Sequence, residues 1–152
     1  MRTVWTIGYE QASMPAFLAV LQEAGIEVVA DVRAIAASRR PGFSKTALAA
    51  NLAEAGIQYR HYRALGTPAA GRAAARALDH AKLESIYAGQ LALPEALAAG
   101  AQLTELVHAH RVALLCYERD PGCCHRTLLH KAILEDCQAV DLYPAEFHPD
   151  SK

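Results

Sequence analysis

The sequence has no apolar run long enough to cross a membrane. A membrane-spanning helix needs about 20 consecutive apolar residues, and no stretch of the 152 residues approaches this length. The first residues, MRTVWTIGYEQ, also hold too short an apolar run for a secretory signal. We therefore expect a cytoplasmic protein that has no membrane partner. In that compartment the four cysteines are expected to be reduced thiols rather than disulfides.

The sequence also lacks an excess of charge of either sign. Fifteen lysine and arginine residues oppose 16 aspartate and glutamate residues, which gives a net charge of -1 with the histidines neutral. Without a broad positive field, binding to extended duplex nucleic acid is disfavoured, so any anion-binding surface must be local. A composition that is 53% hydrophobic and 20% charged is typical of a compact protein, and the length fits a single domain over residues 1–152.

Several familiar catalytic and metal-binding motifs are missing. The chain contains neither a glycine-rich phosphate-binding fingerprint nor the nucleophile elbow of serine hydrolases. Its cysteines lack the paired spacing of structural zinc sites, and Cys124 and His125 are adjacent in the chain. We therefore expect no metal site, and the sequence does not identify a cofactor.

What the sequence does contain is an alternation of strand-like and helical segments. The strand-like segments are VWTIG (4–8), VVADV (28–32), QYRHY (58–62), VALLC (112–116) and a short one near 139–142. Helical spacing predicts helices after Ser13 and Ser44, which are candidate N-caps, and a last helix from about Cys124 to Glu135. Residues 69–110 hold two alanine-rich helical segments.

This alternation predicts an α/β fold. We expect a compact three-layer protein with a mostly parallel sheet of four to five strands, flanked by helices. The helical segments at about 69–110 interrupt the alternation and are interpreted as an insertion that covers a site.

Polar residues or glycines stand where the predicted strands end. These strand ends carry Gly8 and Tyr9, Asp31 and Arg33, and Cys116 and Glu118. In an open parallel sheet, ligands bind beyond the carboxyl ends of the strands, because loops and helix starts converge there. Since side chains alternate along a strand, the members of each of the last two pairs are expected to point the same way. The strand ends are therefore candidates for a ligand site.

Two predicted helix starts add groups that favour anions. The loop SRRPGFSK places Ser38 and Arg39 shortly before a helix. The last helix begins with Cys124, His125 and Arg126. At such a start, free backbone N–H groups and the helix dipole stabilise a thiolate or a bound anion.

The segments TIGYE, DVR with SRRPGFSK, AGIQYRHYRALG and CYERDPGCCHR resemble, in order and spacing, the bacterial and archaeal family known as domain of unknown function 488. The most specific part of the resemblance is C-x-E-x-x-P-x-x-C-H-R at 116–126. The resemblance to this family implies a compact α/β fold and names no reaction. The family pattern falls on Gly8, Tyr9, Asp31, Arg33, Ser38, Arg39, Phe43, Tyr59, Leu65, Gly66, Cys116, Glu118, Cys124, His125 and Arg126. The chain departs from it at AIAA (34–37), which lacks a proline, and at LGT (65–67), where LGG is usual.

The leading hypothesis is an enzyme, a hydrolase or transferase, that acts on an anionic small molecule or nucleotide at this sheet edge. The reactive pair would be Cys124 and His125, with Asp31 or Glu118 transferring protons. The predicted substrate-binding residues are Gly8, Tyr9, Arg33, Ser38, Arg39, Cys116 and Arg126. The three arginines among them would hold the anion.

Plainer roles stay open for several of these residues. Cys116 fits a packing role at the end of a buried strand. Asp31 and Arg33 fit a buried ion pair that only orients a loop, and Arg126 fits a structural salt bridge.

Two other classes of protein also fit the sequence. One is a non-catalytic regulatory module that binds a nucleotide or nucleic acid, and the other is a thiol redox-responsive protein that uses Cys123 and Cys124. The substrate and the oligomeric state are not given by the sequence.

Overall fold

A computed structural model describes residues 2–120 and 124–145. Cys123, one half of the predicted redox pair, lies outside the described residues. The five strands are β1 (Arg2–Gly8), β2 (Val28–Asp31), β3 (Gln58–His61), β4 (Val112–Cys116) and β5 (Cys137–Leu142). They form one sheet in the order β3-β2-β4-β1-β5, and every pairing is parallel. The predicted parallel sheet is confirmed.

Six α-helices connect the strands within the described residues. They are α1 (Met14–Glu23), α2 (Lys45–Glu54), α3 (Ala69–Arg76), α4 (His80–Leu91), α5 (Pro94–Ala109) and α6 (His125–Ile133), with a short 3-10 turn at Arg63–Leu65. None of these helices has the length and apolar character that crossing a membrane requires.

The insertion at 69–110 contains three helices, where two were expected. Leu78 has a left-handed φ of 58°, which ends α3 in a tight turn, and the Asp79 side chain accepts a hydrogen bond from the backbone of Lys82 at the start of α4. An Asp cap of this kind satisfies a backbone N–H that would otherwise be unpaired. A second break, at Pro94, separates α4 from α5.

The helices cover both faces of the sheet, which makes three layers. On one face, Phe17 of α1 and Leu52 of α2 pack against strand residues such as Leu115. On the other face, Leu103 of α5 packs with its neighbours from α4 and α6 against strand residues such as Leu114. Burying one such side chain stabilises the fold by roughly 1.5–3 kcal/mol. Adjacent residues of β4 thus belong to opposite cores, as strand alternation requires.

The sheet brings the ends of β1, β2 and β4 to one edge. In the strand register, Gly8 lies opposite Cys116, and Asp31 lies opposite Leu115. Because β4 lies between β1 and β2, the residues that follow β4 are flanked by those that follow its two neighbours.

Candidate functional site

A crevice of about 530 Å³ opens at the carboxyl end of β4. Its walls come from the loop at 34–40, from α3, and from the residues at the end of β4 and the start of α6. This volume lies in the range of small-molecule sites. The insertion helices α3 and α4 contribute to the wall through residues such as Arg72 and Leu83.

The crevice brings together most of the predicted site residues. Those that line it are Tyr9, Arg33, Ser38, Arg39, Cys116, Glu118, Cys124 and His125. Gly8, Asp31 and Arg126 are buried behind the lining, and each of them contacts a residue that does line it. Their roles in binding or catalysis stay predictions.

Two buried cysteines share one imidazole nitrogen at the crevice wall. The Sγ atoms of Cys116 and Cys124 each lie 3.7 Å from Nδ1 of His125. On the other side of the ring, Nε2 lies 2.7 Å from the carbonyl oxygen of Val32. Because a carbonyl oxygen only accepts, Nε2 must carry a hydrogen, and Nδ1 is left to interact with the two sulfurs.

The two sulfurs and Nδ1 of His125 all lie within 4.8 Å of one another. This spacing would also admit a metal ion, although Cys124 and His125 are adjacent in the chain. The absence of a metal therefore stays a prediction.

The surroundings push the two thiols in opposite directions. A hydrogen bond with Cys124, together with burial, raises the pKa of the Cys116 thiol well above its usual value. Burial also opposes ionisation of Cys124, but the interaction with Cys116 and the positive charges of His125 and Arg126 hold the pKa of Cys124 well below its usual value. Of the two thiols, Cys124 is therefore the one that loses its proton more readily.

The partners of the thiolate shift accordingly. Burial lowers the pKa of His125, but the negative charge and hydrogen bond of Cys124 outweigh it, so the net pKa is raised and the protonated ring is favoured. Burial and the charge of Cys124 raise the pKa of Glu118. The carboxylate Oε2 of Glu118 lies 3.2 Å from the Cys116 sulfur, which donates to it. The site thus favours a thiolate on Cys124 and a protonated ring on His125, beside a Glu118 carboxyl group whose pKa is raised.

Helix α6 places the thiolate at its positive end. Cys124 occupies the N-cap position in an extended conformation (φ −132°, ψ 155°) and makes no side-chain cap bond. Its sulfur therefore meets the dipole of the helix start, which stabilises negative charge. Arg126 is 1% exposed and donates to the backbone carbonyl of Glu118. Its charge favours the thiolate form of Cys124 from behind the wall, and its role in holding an anion stays a prediction.

Arg33 is already bound on several sides. Its Nε and Nη2 atoms each lie 2.8 Å from the carboxylate of Asp31, and Nη1 donates to the Tyr9 hydroxyl and the Phe43 carbonyl. Asp31 is fully buried and also accepts from the Tyr59 hydroxyl. This geometry matches the ion-pair interpretation, in which the two residues fix the start of the 34–40 loop.

Two serines shape that loop. The Ser44 hydroxyl accepts from the backbone N–H of Ser38 and donates to its carbonyl, and the Ser38 hydroxyl accepts from the backbone N–H of Arg40. Ser44 is the N-cap of α2, as expected, but its side chain makes no cap bond, because it is bound to Ser38. The result is a closed turn that presents Arg39 at the crevice.

The structure adds site residues that the sequence did not predict. Arg72 and Arg76 of α3 line the crevice, four residues apart on one helix. Thr67 also lines it, is 3% exposed, and has a hydroxyl that finds no partner among the described residues. The four-residue spacing of two arginines in an alanine-rich helix was the available signal. It could not show which way that helix faces.

Residues 13–133 match the family model described as Domain of unknown function DUF488. The matched range contains β2, β3, β4 and all six helices, and it includes Cys116, Glu118 and the start of α6, whereas β1 and β5 lie outside it. Gly8 and Tyr9 precede it. Neither the curated proteins nor the solved structures gave a match to the chain.

Proposed function

The chain belongs to the DUF488 family, a domain of unknown function, and from its own geometry we propose that it is an enzyme that uses Cys124 as a nucleophile on a small anionic substrate. The observation that carries this proposal is the position of the Cys124 sulfur in the wall of the crevice, 3.7 Å from Nδ1 of His125, where its pKa is lowered. A thiolate at neutral pH is the reactive form of cysteine.

Each neighbour has a defined part in such a reaction. The Cys124 sulfur would attack the electrophilic atom of the substrate, and a new bond to sulfur would form as the leaving group departs. Glu118 lines the crevice and has a raised pKa, so it would supply the proton that the leaving group takes. Attack by water or by an acceptor molecule would then free the thiolate. These two outcomes are hydrolysis and group transfer.

The charge of the crevice supports an anionic substrate. Five of the fifteen lysine and arginine residues in the chain line it, namely Arg33, Arg39, Arg40, Arg72 and Arg76. Among the described lining residues, Glu118 is the only acid. Arg33 is internally bound, so the exposed Arg39 and Arg76 and the half-buried Arg72 are the side chains best placed to bind phosphate or carboxylate.

The rest of the lining supports an apolar or planar body for the substrate. Ile35, Ala75 and Leu83 contribute apolar surface, and Tyr9 and Tyr117 contribute aromatic rings that pack edge to face. Nucleotides and phosphorylated aromatic metabolites combine such a body with an anionic end.

A second candidate function is a non-catalytic module that binds the same ligand. The unpartnered hydroxyl of buried Thr67 and the arginines of α3 favour ligand binding by themselves, and binding does not require the thiolate. The two functions differ in what Cys124 contributes, since only the enzyme needs its sulfur.

The test begins with a thermal-shift screen of nucleotides and phosphorylated metabolites, because a ligand that binds only the folded state raises Tm. Each ligand found is then incubated with the wild type, Cys124→Ser and the control Cys137→Ser. The enzyme predicts turnover and a substrate-derived mass on Cys124 in the wild type and the control, and neither in Cys124→Ser. Wild-type turnover in Cys124→Ser would contradict the proposal, and binding without turnover in all three proteins would support the binding module.

A further inference from the structure

We propose that Cys116 and Cys124 are a redox pair: a hydroperoxide that enters the crevice converts them to a disulfide, which switches the site off until a thiol reduces it. The inference deepens the proposed function and rests on it for the reactivity of Cys124. It assigns to Cys116 a chemical role beyond packing.

The positions of the two sulfurs carry the proposal. Both line the same crevice, and both contact the same nitrogen of His125. They lie within 4.8 Å of each other, and a disulfide needs about 2 Å. The sulfurs must therefore approach by less than about 3 Å, which rotation of the side chains between staggered rotamers can supply. One cysteine ends β4 and the other begins α6, so the bond would join two separate elements.

The two thiols are already different in the way that a two-step oxidation needs. Cys124 faces the charges of His125 and Arg126, which favour its thiolate. Cys116 donates to Glu118 and keeps its proton. Oxidation begins at a thiolate, and a neighbouring thiol then resolves the product.

In the first step, the Cys124 thiolate attacks one oxygen of the hydroperoxide. The S–O bond forms and the O–O bond breaks, so sulfur is oxidised by two electrons to a sulfenic acid. The peroxide is reduced to an alcohol, or to water if it is hydrogen peroxide. The proton that this product takes comes from the His125 imidazolium, which lies 3.7 Å from the sulfur.

In the second step, the Cys116 sulfur attacks the sulfenic sulfur of Cys124. The S–S bond forms, the S–O bond breaks, and the departing hydroxide leaves as water with the proton of Cys116. Glu118, 3.2 Å from the Cys116 sulfur, can carry that proton. Two equivalents of a small thiol then restore both cysteines and are themselves joined as a disulfide.

Burial restricts which oxidants take part. Cys116 is 6% exposed and Cys124 is 3% exposed, and what surface they have faces the crevice. A small hydroperoxide can reach them more readily than a large disulfide can. The disulfide would remove the nucleophile, so an oxidised protein should be inactive and resistant to alkylation.

The experiment uses the full chain, reduced and freed of metal by a chelator, then treated with a few equivalents of hydrogen peroxide. The expected product has lost two hydrogen atoms by intact mass, and peptide mapping joins the peptides that contain Cys116 and Cys124. Cys123→Ser and Cys137→Ser should form the same bond. Cys116→Ser and Cys116→Ala should instead hold a sulfenic acid at Cys124 that dimedone captures. A disulfide that joins other cysteines, or loss of two hydrogens in the Cys116 variants, would overturn the proposal.

A parallel measurement separates this inference from the proposed function. If iodoacetamide modifies Cys124 quickly in the reduced protein and peroxide still produces no disulfide, the redox pair is wrong and the nucleophile stands. If the disulfide forms but no ligand is turned over, the proposed enzyme is wrong and the redox pair stands.

Discussion

At the scale of single residues, the ring of His125 is fixed in a position where one nitrogen contacts both thiols. Its Nε2 is held by the Val32 carbonyl, so its orientation does not depend on a ligand. The ring also packs edge to face against Tyr87, with 5.1 Å between the ring centroids. Nδ1 is therefore held beside both sulfurs by the protein itself.

A lowered pKa of Cys124 predicts thiol reactivity in mildly acidic solution. A group with a lowered pKa keeps its charged form as the pH falls toward that pKa, so alkylation of Cys124 by iodoacetamide should persist between pH 8 and pH 6. In an ordinary thiol, with a pKa of about 8.5, the thiolate fraction would fall roughly 75-fold between pH 8 and pH 6. Peptide mass spectrometry at each pH gives the rate.

The matched control for this prediction is Cys137, which is buried and whose pKa is raised by burial and by Asp136. It should stay unmodified over the same pH range. A His125→Gln variant should restore an ordinary pH profile to Cys124, because the positive partner is lost. Equal pH profiles for Cys124 in the wild type and in His125→Gln would show that the imidazolium does not stabilise the thiolate.

Breaking the buried ion pair between Asp31 and Arg33 is expected to lower the stability of the protein strongly. Asp31→Asn leaves the buried Arg33 charge without its partner, and breaking a buried pair costs about 3–5 kcal/mol in the free energy of unfolding. Urea denaturation measures this change. The control is Asp136→Asn at the exposed pair with His108, where we expect a change of about 1 kcal/mol or less. A similar loss of unfolding free energy in both variants would show that the buried pair of Asp31 contributes no more to stability than the exposed pair does.

At the scale of elements, the strands and helices differ in how far the sequence predicts them. Strand β4 was predicted to the residue, because VALLC is buried on both faces and continuously apolar. The turn at Leu78 was missed, because leucine rarely adopts a positive φ and gives no turn signal. Here a single residue outside the usual φ range, rather than a glycine or proline, separates two helices.

In the candidate site, too, some contacts can be predicted from the sequence and others cannot. That Cys116 meets Cys124 and His125 follows from a general rule for parallel sheets, in which a strand end faces the start of the next helix. The engagement of Arg33 by Tyr9 and the Phe43 carbonyl depends on how the 38–44 turn folds back. That turn is closed by hydrogen bonds of the Ser38 and Ser44 side chains to the backbone, and the residue types alone do not show which backbone groups these hydroxyls bind.

Helix α3 makes a prediction about affinity. Arg76→Gln and Arg72→Gln should each weaken binding of inorganic pyrophosphate or AMP by about tenfold, because a hydrogen bond to a charged group contributes about 1.5 kcal/mol. Isothermal titration calorimetry measures the affinity. Arg63→Gln is the control, since Arg63 is exposed and does not line the crevice. Unchanged affinity in the α3 variants would remove this helix from the anion site.

The end of β1 makes a prediction about packing. A Cβ atom at Gly8 would lie 1.8 Å from the Glu118 carbonyl oxygen, so Gly8→Ala must push the end of β4 away. We expect a loss of about 1–3 kcal/mol in unfolding free energy and slower alkylation of Cys124. Urea denaturation and alkylation rates measure the two effects.

Gly89→Ala in α4 is the matched control, because nothing lies within 4 Å of the added carbon. It should stabilise the protein by roughly 0.5–1 kcal/mol through helix propensity. If Gly8→Ala stabilised the protein as this control does, the close packing of β1 against Glu118 would not contribute to the free energy of unfolding.

At the scale of the whole molecule, positive charge is concentrated at one crevice, although the net charge is close to zero. The net charge is -1, yet five arginines converge on one crevice. Such an arrangement acts at short range, since ions in physiological salt screen charges beyond about 8 Å. It suits a small anion inside the crevice better than a long polyanion across the surface.

This distribution predicts weak binding to duplex DNA. Fluorescence anisotropy with a labelled duplex at 150 mM salt should show no saturation up to about 10 μM protein, since non-specific binding falls steeply when few phosphates are neutralised. Single nucleotides should still bind in the same buffer. A log affinity that falls with log salt at a slope steeper than about −4.5, equivalent to five or more phosphate contacts, would instead favour a nucleic-acid-binding module.

The strand order determines when the sheet can form during translation. Strands β1 and β2 are not neighbours, and β4 at residues 112–116 fills the place between them. Translation at about 5–20 residues per second therefore leaves the two early strands without their shared partner for several seconds. By the end of that interval the nascent chain holds the five arginines of the crevice but neither of its two cysteines. A product that stalls before β4 would thus expose unpaired strand edges and would lack both cysteines of the candidate site.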